Sequence, residues 1–148
     1  MSIRDRLRRR KTRITKYTEA ELRERLSPAQ YQVLQEGKTE APFSGEYRDA
    51  DIDGTYHCRV CDAALFSSET KFDPNGAWPA FRAPLDAAVG ERSDWAFGIP
   101  RTESVCADCG AHLGHVFPEG PGGAETRYCI NSASLRLEPA EEPAPQPG

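Results

Sequence analysis

The sequence lacks the features of a membrane-spanning or secreted protein. Its longest apolar runs, such as AALF, are far shorter than the roughly 20 residues that a transmembrane helix needs. Its opening has no apolar segment of the kind found in secretory signal peptides. Five cysteines, an odd number, make a poor disulfide framework for a secreted domain. We therefore expect reduced thiols and a cytoplasmic location.

Basic charge is scarce outside the N-terminal segment. The net charge is −4, yet residues 1–16 carry eight Lys or Arg against one Asp, which leaves −11 for the rest of the chain. Because phosphate binding needs a basic face, the acidic body predicts no nucleic-acid partner. Segment 1–16 is interpreted as a flexible terminus, with contact to RNA or to a membrane surface as the alternatives.

Two short helices are predicted near the N-terminus of what we expect to be a single domain. Thr18 can cap the first helix, and Glu21 lies three residues later, as a capping box requires. Ser27 can cap the second, Pro28 suits its first position, and Gly37 can end it.

After Gly37, the pattern is typical of short antiparallel strands. Turn motifs such as VGERSD recur about every eight to twelve positions, and between them lie GTYHCRV, ALFSS, DWAFGI, HLGHVF and RYCINSASLRL. The fold class is therefore predicted to be mainly β. Residues 139–148, rich in Pro and Glu, are expected to form a disordered tail.

Four of the five cysteines form two C-x-x-C pairs, Cys58/Cys61 and Cys106/Cys109. Each pair can supply two sulfur ligands from a tight turn. Two such turns together give one tetrahedral site with Zn–S distances of about 2.3 Å. The spacing predicts one structural Zn²⁺ that joins two hairpins distant in sequence, although iron also accepts four thiolates. Redox-active or free pairs are alternatives. Another is a ligand set made of Cys106, Cys109, His112 and His115.

The fifth cysteine, Cys129, is left without a metal role. Alternate residues of a strand share a face, so Arg127, Cys129 and Asn131 would point to one side. A guanidinium favours the thiolate and would lower the pKa of Cys129 below its usual value of about 8.5. Asn131 could donate an amide hydrogen to a bound oxygen. The alternative is a buried cysteine that packs as a small hydrophobe.

Two histidines and two aromatic residues could complete a site around this thiol. His112 and His115, in HLGHVF, could protonate a leaving oxygen, although polar packing is the usual role of such a pair. Trp78 and Phe81, in AWPAF, could be core aromatics. An indole wall near a thiolate could instead hold a small apolar group such as a methyl.

Six blocks of the sequence together resemble the B-type peptide methionine sulfoxide reductases. In chain order they are TEAPFSGEY, CRVCDAALFSSETKFD, WPAF, RTE, CGAHLGHVFPEGP and RYCINSASLRL. They fall within residues 17–138, which the resemblance identifies as the reductase domain. It implies two antiparallel sheets with N-terminal helices, and reduction of the R epimer of methionine sulfoxide, chiefly in proteins.

The resemblance also implies roles for individual residues. Cys129 matches the catalytic cysteine, which attacks the sulfoxide sulfur and becomes a sulfenic acid. His112, His115 and Asn131 match polar residues of the family motifs, and Trp78 matches the wall of the methyl pocket. The four paired cysteines match the ligands of the zinc-containing members. Arg127 is assigned to stabilisation of the thiolate.

Two features depart from the family pattern. One is Pro118-Glu119, which stands in place of the usual pair of acids after HVF and bears on the detail of the pocket. The other is Gly76, two residues before the tryptophan, where many members have a resolving cysteine. The sulfenic acid is therefore predicted to be reduced by thioredoxin, glutaredoxin or a small thiol. The enzyme is also predicted to be a monomer. The alternative is a non-catalytic zinc β-domain that binds a partner or small ligand in the aromatic pocket. The grouping of Cys129 with Arg127 and Asn131 argues against it.

Overall fold

Two short helices and nine strands make up the described part of the chain. The structure is a computed structural model and describes residues 13–72, 76–95, 98, 100–119 and 125–140. The helices are α1 (Glu19–Arg25) and α2 (Pro28–Leu34). The strands are β1 (Gly54–Cys58), β2 (Ala64–Ser67), β3 (Lys71–Phe72), β4 (Ala80–Phe81), β5 (Val89–Asp94), β6 (Arg101–Cys106), β7 (His112–Glu119), β8 (Glu125–Ile130) and β9 (Leu135–Pro139).

The strands form two antiparallel sheets, which confirms the predicted fold class. A three-stranded sheet has the order β2-β1-β9, and a six-stranded sheet has the order β3-β4-β8-β7-β6-β5. Every pair of neighbouring strands is antiparallel. No described helix is long and apolar enough to cross a membrane.

Both helices begin at the caps that the sequence predicts. Thr18 and Glu21 form a reciprocal capping box at α1. Ser27 does the same with Gln30 at α2, where Pro28 occupies the first turn. Each helix has only seven residues, too few to be stable alone, so burial of Leu22 and Leu34 against the core must hold them in place.

Three strand predictions were wrong. VGERSD was read as a turn but forms β5. The error arose because this strand lies at the edge of its sheet, where its mostly exposed, polar residues resemble those of a turn. DWAFGI was read as a strand, yet β5 ends at Asp94 and Trp95 is exposed outside it, while Ala96, Phe97 and Ile99 lie outside the described residues. RYCINSASLRL is not one strand, since a 3₁₀ turn (Ser132–Ser134) separates β8 from β9 and carries the chain to the other sheet.

The core lies between the sheets and beneath the helices. Phe81 stacks on Phe66 with ring centroids 4.4 Å apart and meets Tyr56 edge-on at 5.1 Å. All three rings are completely buried. Phe81 is therefore a core residue and not part of an aromatic pocket wall.

The packed body begins before the predicted boundary at residue 17. Ile14 is 1% exposed and belongs to the core cluster, and Lys16 pairs with Asp108 at 2.9 Å. A buried apolar residue therefore anchors the last part of the basic segment. Residues 1–12 of that segment and residues 141–148 of the expected tail lie outside the described residues.

Candidate active site and metal centre

The sheet brings Cys129 and His115 together on neighbouring strands. The two residues are directly paired between β7 and β8. Gly114 permits this close approach, because a Cβ there would overlap the carbonyl oxygen of Cys129. The nucleophile and a proton donor expected from the sequence are thus cross-strand neighbours on one face of the sheet.

A β-bulge places His112 and His115 on the same side of β7. Residues three apart in a regular strand point to opposite faces. Here Ser104 pairs with Gly114 while the next residue, Val105, pairs with His112, so β7 carries one extra residue. The two imidazole rings therefore meet edge-on, with centroids 5.4 Å apart. Re-aiming a side chain in this way is a common effect of bulges beside functional sites.

A cavity of about 200 Å³ opens above Cys129. Its lining includes five of the predicted site residues, namely Trp78, His115, Arg127, Cys129 and Asn131. Its other lining residues are Thr39, Gly76, Ala77, Arg101, Gly114 and Phe117. Pockets for drug-sized ligands span roughly 300–1,000 Å³, so this one is suited to a single side chain.

The predicted low pKa of Cys129 was wrong. Burial raises the pKa of the thiol; Arg127 lowers it, as expected, but is outweighed, and Glu119 adds to the rise. Arg127 also pairs with Glu119 at 3.1 Å, so part of its positive charge is already compensated. At neutral pH the thiol therefore needs a base to ionise it.

His115 is the group placed to act on that thiol. Its Nε2 lies 2.8 Å from Asp94 Oδ2, and Asp94 also accepts from Arg101 at 3.0 Å. Burial lowers the pKa of His115, and the hydrogen bond to Asp94 only partly opposes this, so the ring is neutral at pH 7. With Nε2–H donated to Asp94, Nδ1 is the nitrogen left to exchange a proton.

His112 does not line the cavity but lies behind His115. It is 1% exposed, and its Nδ1 lies 2.5 Å from Glu103 Oε2. Burial would raise the pKa of Glu103, but hydrogen bonds from His112 and Arg13 outweigh it and the pKa is lowered. An ionised carboxylate only accepts, so His112 carries its proton on Nδ1.

Asn131 and Trp78 are held by the segment that precedes β1. Asn131 donates its side-chain amide to Leu113 O at 3.0 Å and accepts from the backbone N–H of Glu40 at 3.0 Å. Trp78 Nε1 donates to Glu40 O at 3.1 Å. Asn131 follows β8 instead of lying on it, yet it still shares the cavity with Cys129.

The four paired cysteines come together as predicted. Their sulfur atoms all lie within 4.8 Å of one another, with Cys58–Cys109 at 3.7 Å and Cys61–Cys106 at 3.6 Å. A tetrahedral metal with four bonds of about 2.3 Å needs S···S separations of about 3.8 Å, so this donor set fits one metal ion. The alternative set with His112 and His115 was wrong, since these rings instead contact Glu103 and Asp94.

Sequence reasoning missed the residues that orient the histidines. Asp94 is shared by VGERSD and DWAFGI, two wrongly assigned segments, and gave no separate signal. Glu103 and Arg101 were visible only as part of the RTE block. Glu40 was likewise part of a block. Its backbone makes the contacts to Trp78 and Asn131, and backbone contacts cannot be inferred from the type of residue.

Comparison with known proteins identifies the family. Residues 26–139 match the SelR domain. The chain belongs to the SelR family. It is 51% identical over 125 residues to the peptide methionine sulfoxide reductase MsrB of Thiobacillus denitrificans, covering 84% of this chain and 95% of that protein.

Two further relatives come from another bacterium and from mouse. The MsrB of Pseudomonas savastanoi pv. phaseolicola is 53% identical over 122 residues, covering 82% of this chain and 93% of that protein. The mouse protein named methionine-R-sulfoxide reductase B3, mitochondrial, is 48% identical over 126 residues, covering 84% of this chain and 50% of its own length. The SelR match includes the cavity and all four clustered cysteines but begins after residues 13–16.

Proposed function

We propose that this chain reduces the R epimer of methionine sulfoxide to methionine, chiefly in peptides and proteins. The observation that carries the proposal is the Cys129 thiol at the base of a side-chain-sized cavity, directly paired with His115. The SelR relatives named as methionine sulfoxide reductases support the same reaction. The chain is thus a peptide-methionine (R)-S-oxide reductase, an oxidoreductase of oxidative protein repair.

The first step is attack of the Cys129 sulfur on the sulfoxide sulfur. His115 Nδ1 takes the thiol proton as the sulfur attacks, and Asp94 stabilises the imidazolium that forms. The imidazolium then gives that proton to the sulfoxide oxygen. The hydroxyl group then moves from the substrate sulfur to the Cys129 sulfur. The substrate S–O bond and the bond between the two sulfurs break, the new S–O bond makes Cys129 a sulfenic acid, and methionine leaves as the reduced product. The same proton thus moves from sulfur to oxygen through one histidine.

The cavity walls orient the sulfoxide. Trp78, His115 and Asn131 all line the cavity, so the indole can form a flat apolar wall for the methyl group while the other two supply polar groups. Because a sulfoxide sulfur is a stereocentre, fixing the methyl and the main side chain fixes where the oxygen points. We expect the cavity to direct the oxygen of the R epimer, and not that of the S epimer, to His115.

An external thiol completes the cycle. The cavity lining contains no cysteine other than Cys129, and the remaining four cysteines belong to the metal cluster. Gly76 lines the cavity where many family members have a resolving cysteine. Thioredoxin, glutaredoxin or a small thiol therefore attacks the sulfenic acid, releases water and forms a mixed disulfide. A second thiol then restores Cys129.

The metal is proposed to be a single structural Zn²⁺. Four thiolates at tetrahedral spacing are the donors of structural zinc sites, and no ligand position remains for substrate. The proposed cytoplasmic location agrees with this chemistry, because cytosolic glutathione and thioredoxin keep thiols reduced.

The deciding experiment is turnover of peptides that carry R- or S-methionine sulfoxide, with dithiothreitol and then thioredoxin as reductant. Wild type should reduce only the R epimer, and Cys129→Ser should be inactive while retaining its metal. One turnover without reductant should consume one thiol and give a dimedone adduct at Cys129. In Gly76→Cys the same turnover should consume two thiols. A folded, metal-loaded wild type that is inert with both reductants would refute the reductase and favour the non-catalytic binding domain.

A further inference from the structure

The N-terminal arm, defined here as residues 13–16, is docked on the domain by specific contacts. The side chain of Gln35, at the end of α2, accepts from the backbone N–H groups of Arg13 and Ile14 at 3.0 and 2.7 Å. Its amide donates back to Ile14 O at 3.2 Å. This arm precedes residues 26–139, the part that matches the SelR domain.

The domain leaves room for Arg13 at two glycines. A Cβ at Gly37 would overlap the Arg13 guanidinium, and a Cβ at Gly110 would lie 2.6 Å from Arg13 O. Both glycines have positive φ angles, 77° and 83°, which other residues rarely adopt. Arg13 thus runs between the end of α2 and the turn that follows Cys109.

The arm delivers the Arg13 guanidinium to a buried carboxylate. Arg13 Nε donates to Glu103 Oε2 at 2.6 Å, and Glu103 is 4% exposed. A buried carboxylate is costly unless it is paired and hydrogen-bonded. His112 Nδ1 donates to the same oxygen, Oε2. Arg13, Glu103 and His112 therefore form one continuous chain of contacts.

We propose that Arg13 is a positioning residue: its guanidinium holds the Glu103 carboxylate against His112 Nδ1, and the N-terminal arm thereby completes the reductase site. The proposal rests on the reductase function for its catalytic consequence. His112 packs edge-on against His115, which faces Cys129 across the sheet. A shift of Glu103 would release His112 Nδ1 and then His115. The expected effect is on kcat rather than KM, because Arg13 does not line the cavity.

The test uses the full-length, zinc-loaded protein and five variants, including the conservative Arg13→Lys. Arg13→Met removes the donor, Glu103→Gln removes the charge it holds, and the double variant combines both changes. Arg23→Met is the matched control, since Arg23 pairs with Glu19 on the exposed face of α1. The readouts are kcat and KM with an R-methionine sulfoxide peptide, and the imidazole ¹⁵N shifts of His112, which report its tautomer without any turnover.

The expected result is a loss of kcat in Arg13→Met that adds nothing to the loss already caused by Glu103→Gln. Arg13→Met should lower kcat about ten-fold, the weight of one hydrogen bond to a charged group, leave KM unchanged, and weaken the Nδ1–H signature of His112. In the Glu103→Gln background the same change should have no further effect, because coupled residues are not additive. Arg23→Met should match wild type. Arg13→Lys, which keeps the charge but not the Nε donor, should recover part of kcat.

Several results would overturn the proposal. One is an Arg13→Met protein with the kcat and His112 spectrum of wild type, and another is an equal loss in both backgrounds. Equal damage from Arg23→Met would point to a general folding role for the N-terminal segment. Should Arg13→Met fail to fold, a wild-type kcat and His112 spectrum in Arg13→Lys would count against the proposal. If wild type proves inactive, the reductase function fails and the ¹⁵N shifts alone decide the role of Arg13.

Discussion

Replacing Asp94 by Asn tests whether His115 is the base that serves Cys129. Asp94 Oδ2 accepts from His115 Nε2 at 2.8 Å, and the Asp94 side chain is 26% exposed. A hydrogen bond to a charged group contributes about 1.5–3 kcal/mol, and the partial exposure of Asp94 favours the lower value. A loss of about 1.5 kcal/mol corresponds to a roughly ten-fold fall in kcat. Asparagine keeps the shape, but its amide can also donate, so Nε2 is no longer fixed as the protonated nitrogen.

The pH dependence of kcat/KM tests the same role of His115, because each substitution should shift the acidic limb in a defined direction. Asp94 raises the pKa of His115 against the larger effect of burial, while Arg101 lowers it. Asp94→Asn should therefore lower that pKa further, and the acidic limb of kcat/KM should move to lower pH as the plateau falls. Arg101→Met should move the same limb to higher pH.

The assay is steady-state reduction of an R-methionine sulfoxide peptide between pH 5 and 9, with Asp86→Asn as the control at an exposed aspartate outside the cavity. An Asp94→Asn enzyme with the kcat and acidic limb of wild type would refute the role assigned to His115. Shifts of the same sign in Asp94→Asn and Arg101→Met would contradict the electrostatic reasoning.

Three further predictions concern the thiol, the metal and the core. Arg127→Met should raise the pKa of Cys129 further, because Arg127 is the group that lowers it, and iodoacetamide alkylation at this cysteine should then need higher pH. Cys109→Ser should abolish stoichiometric metal binding and unfold the domain, as metal analysis and circular dichroism would show. Phe81→Ala should cost about 3–5 kcal/mol in urea unfolding because the ring is fully buried, whereas Ile52→Ala, at a side chain 51% exposed, should cost under about 0.5 kcal/mol.

Local patterns predicted the parts of this molecule that depend on nearby residues. The capping boxes at Thr18 and Ser27 form as expected, since they need only residues within one helical turn. The C-x-x-C spacing identified the metal ligands because each pair closes its own turn. Alternation along β8 correctly placed Arg127 and Cys129 on the same side, which is the cavity side.

Features that depend on neighbouring strands could not be predicted from the same patterns. The edge strand β5 was misread because its residues face solvent, and polar residues in such a strand resemble a turn. The low pKa expected for Cys129 considered the adjacent Arg127 but not the burial imposed by the sheet. Asp94 and Glu103 escaped notice because their partners His115 and His112 lie on another strand, β7.

The metal centre and the active site depend on the same two strands. Cys106 is the last residue of β6, and His112, three residues after Cys109, is the first of β7. The turn between them is closed by bonds from Gly110 N to Cys106 O and from Cys106 N to Ala111 O. This turn therefore fixes where β7 begins, and with it the bulge that puts both histidines on one face.

A slip of one residue in that register would reverse every side chain of β7. His115 would then leave Cys129, and His112 would leave Glu103. A metal bound by Cys58, Cys61, Cys106 and Cys109 ties this turn to β1, in the other sheet. The metal can thus be indispensable to catalysis without touching the substrate, because it holds the register on which the proton path from Cys129 to the sulfoxide oxygen depends.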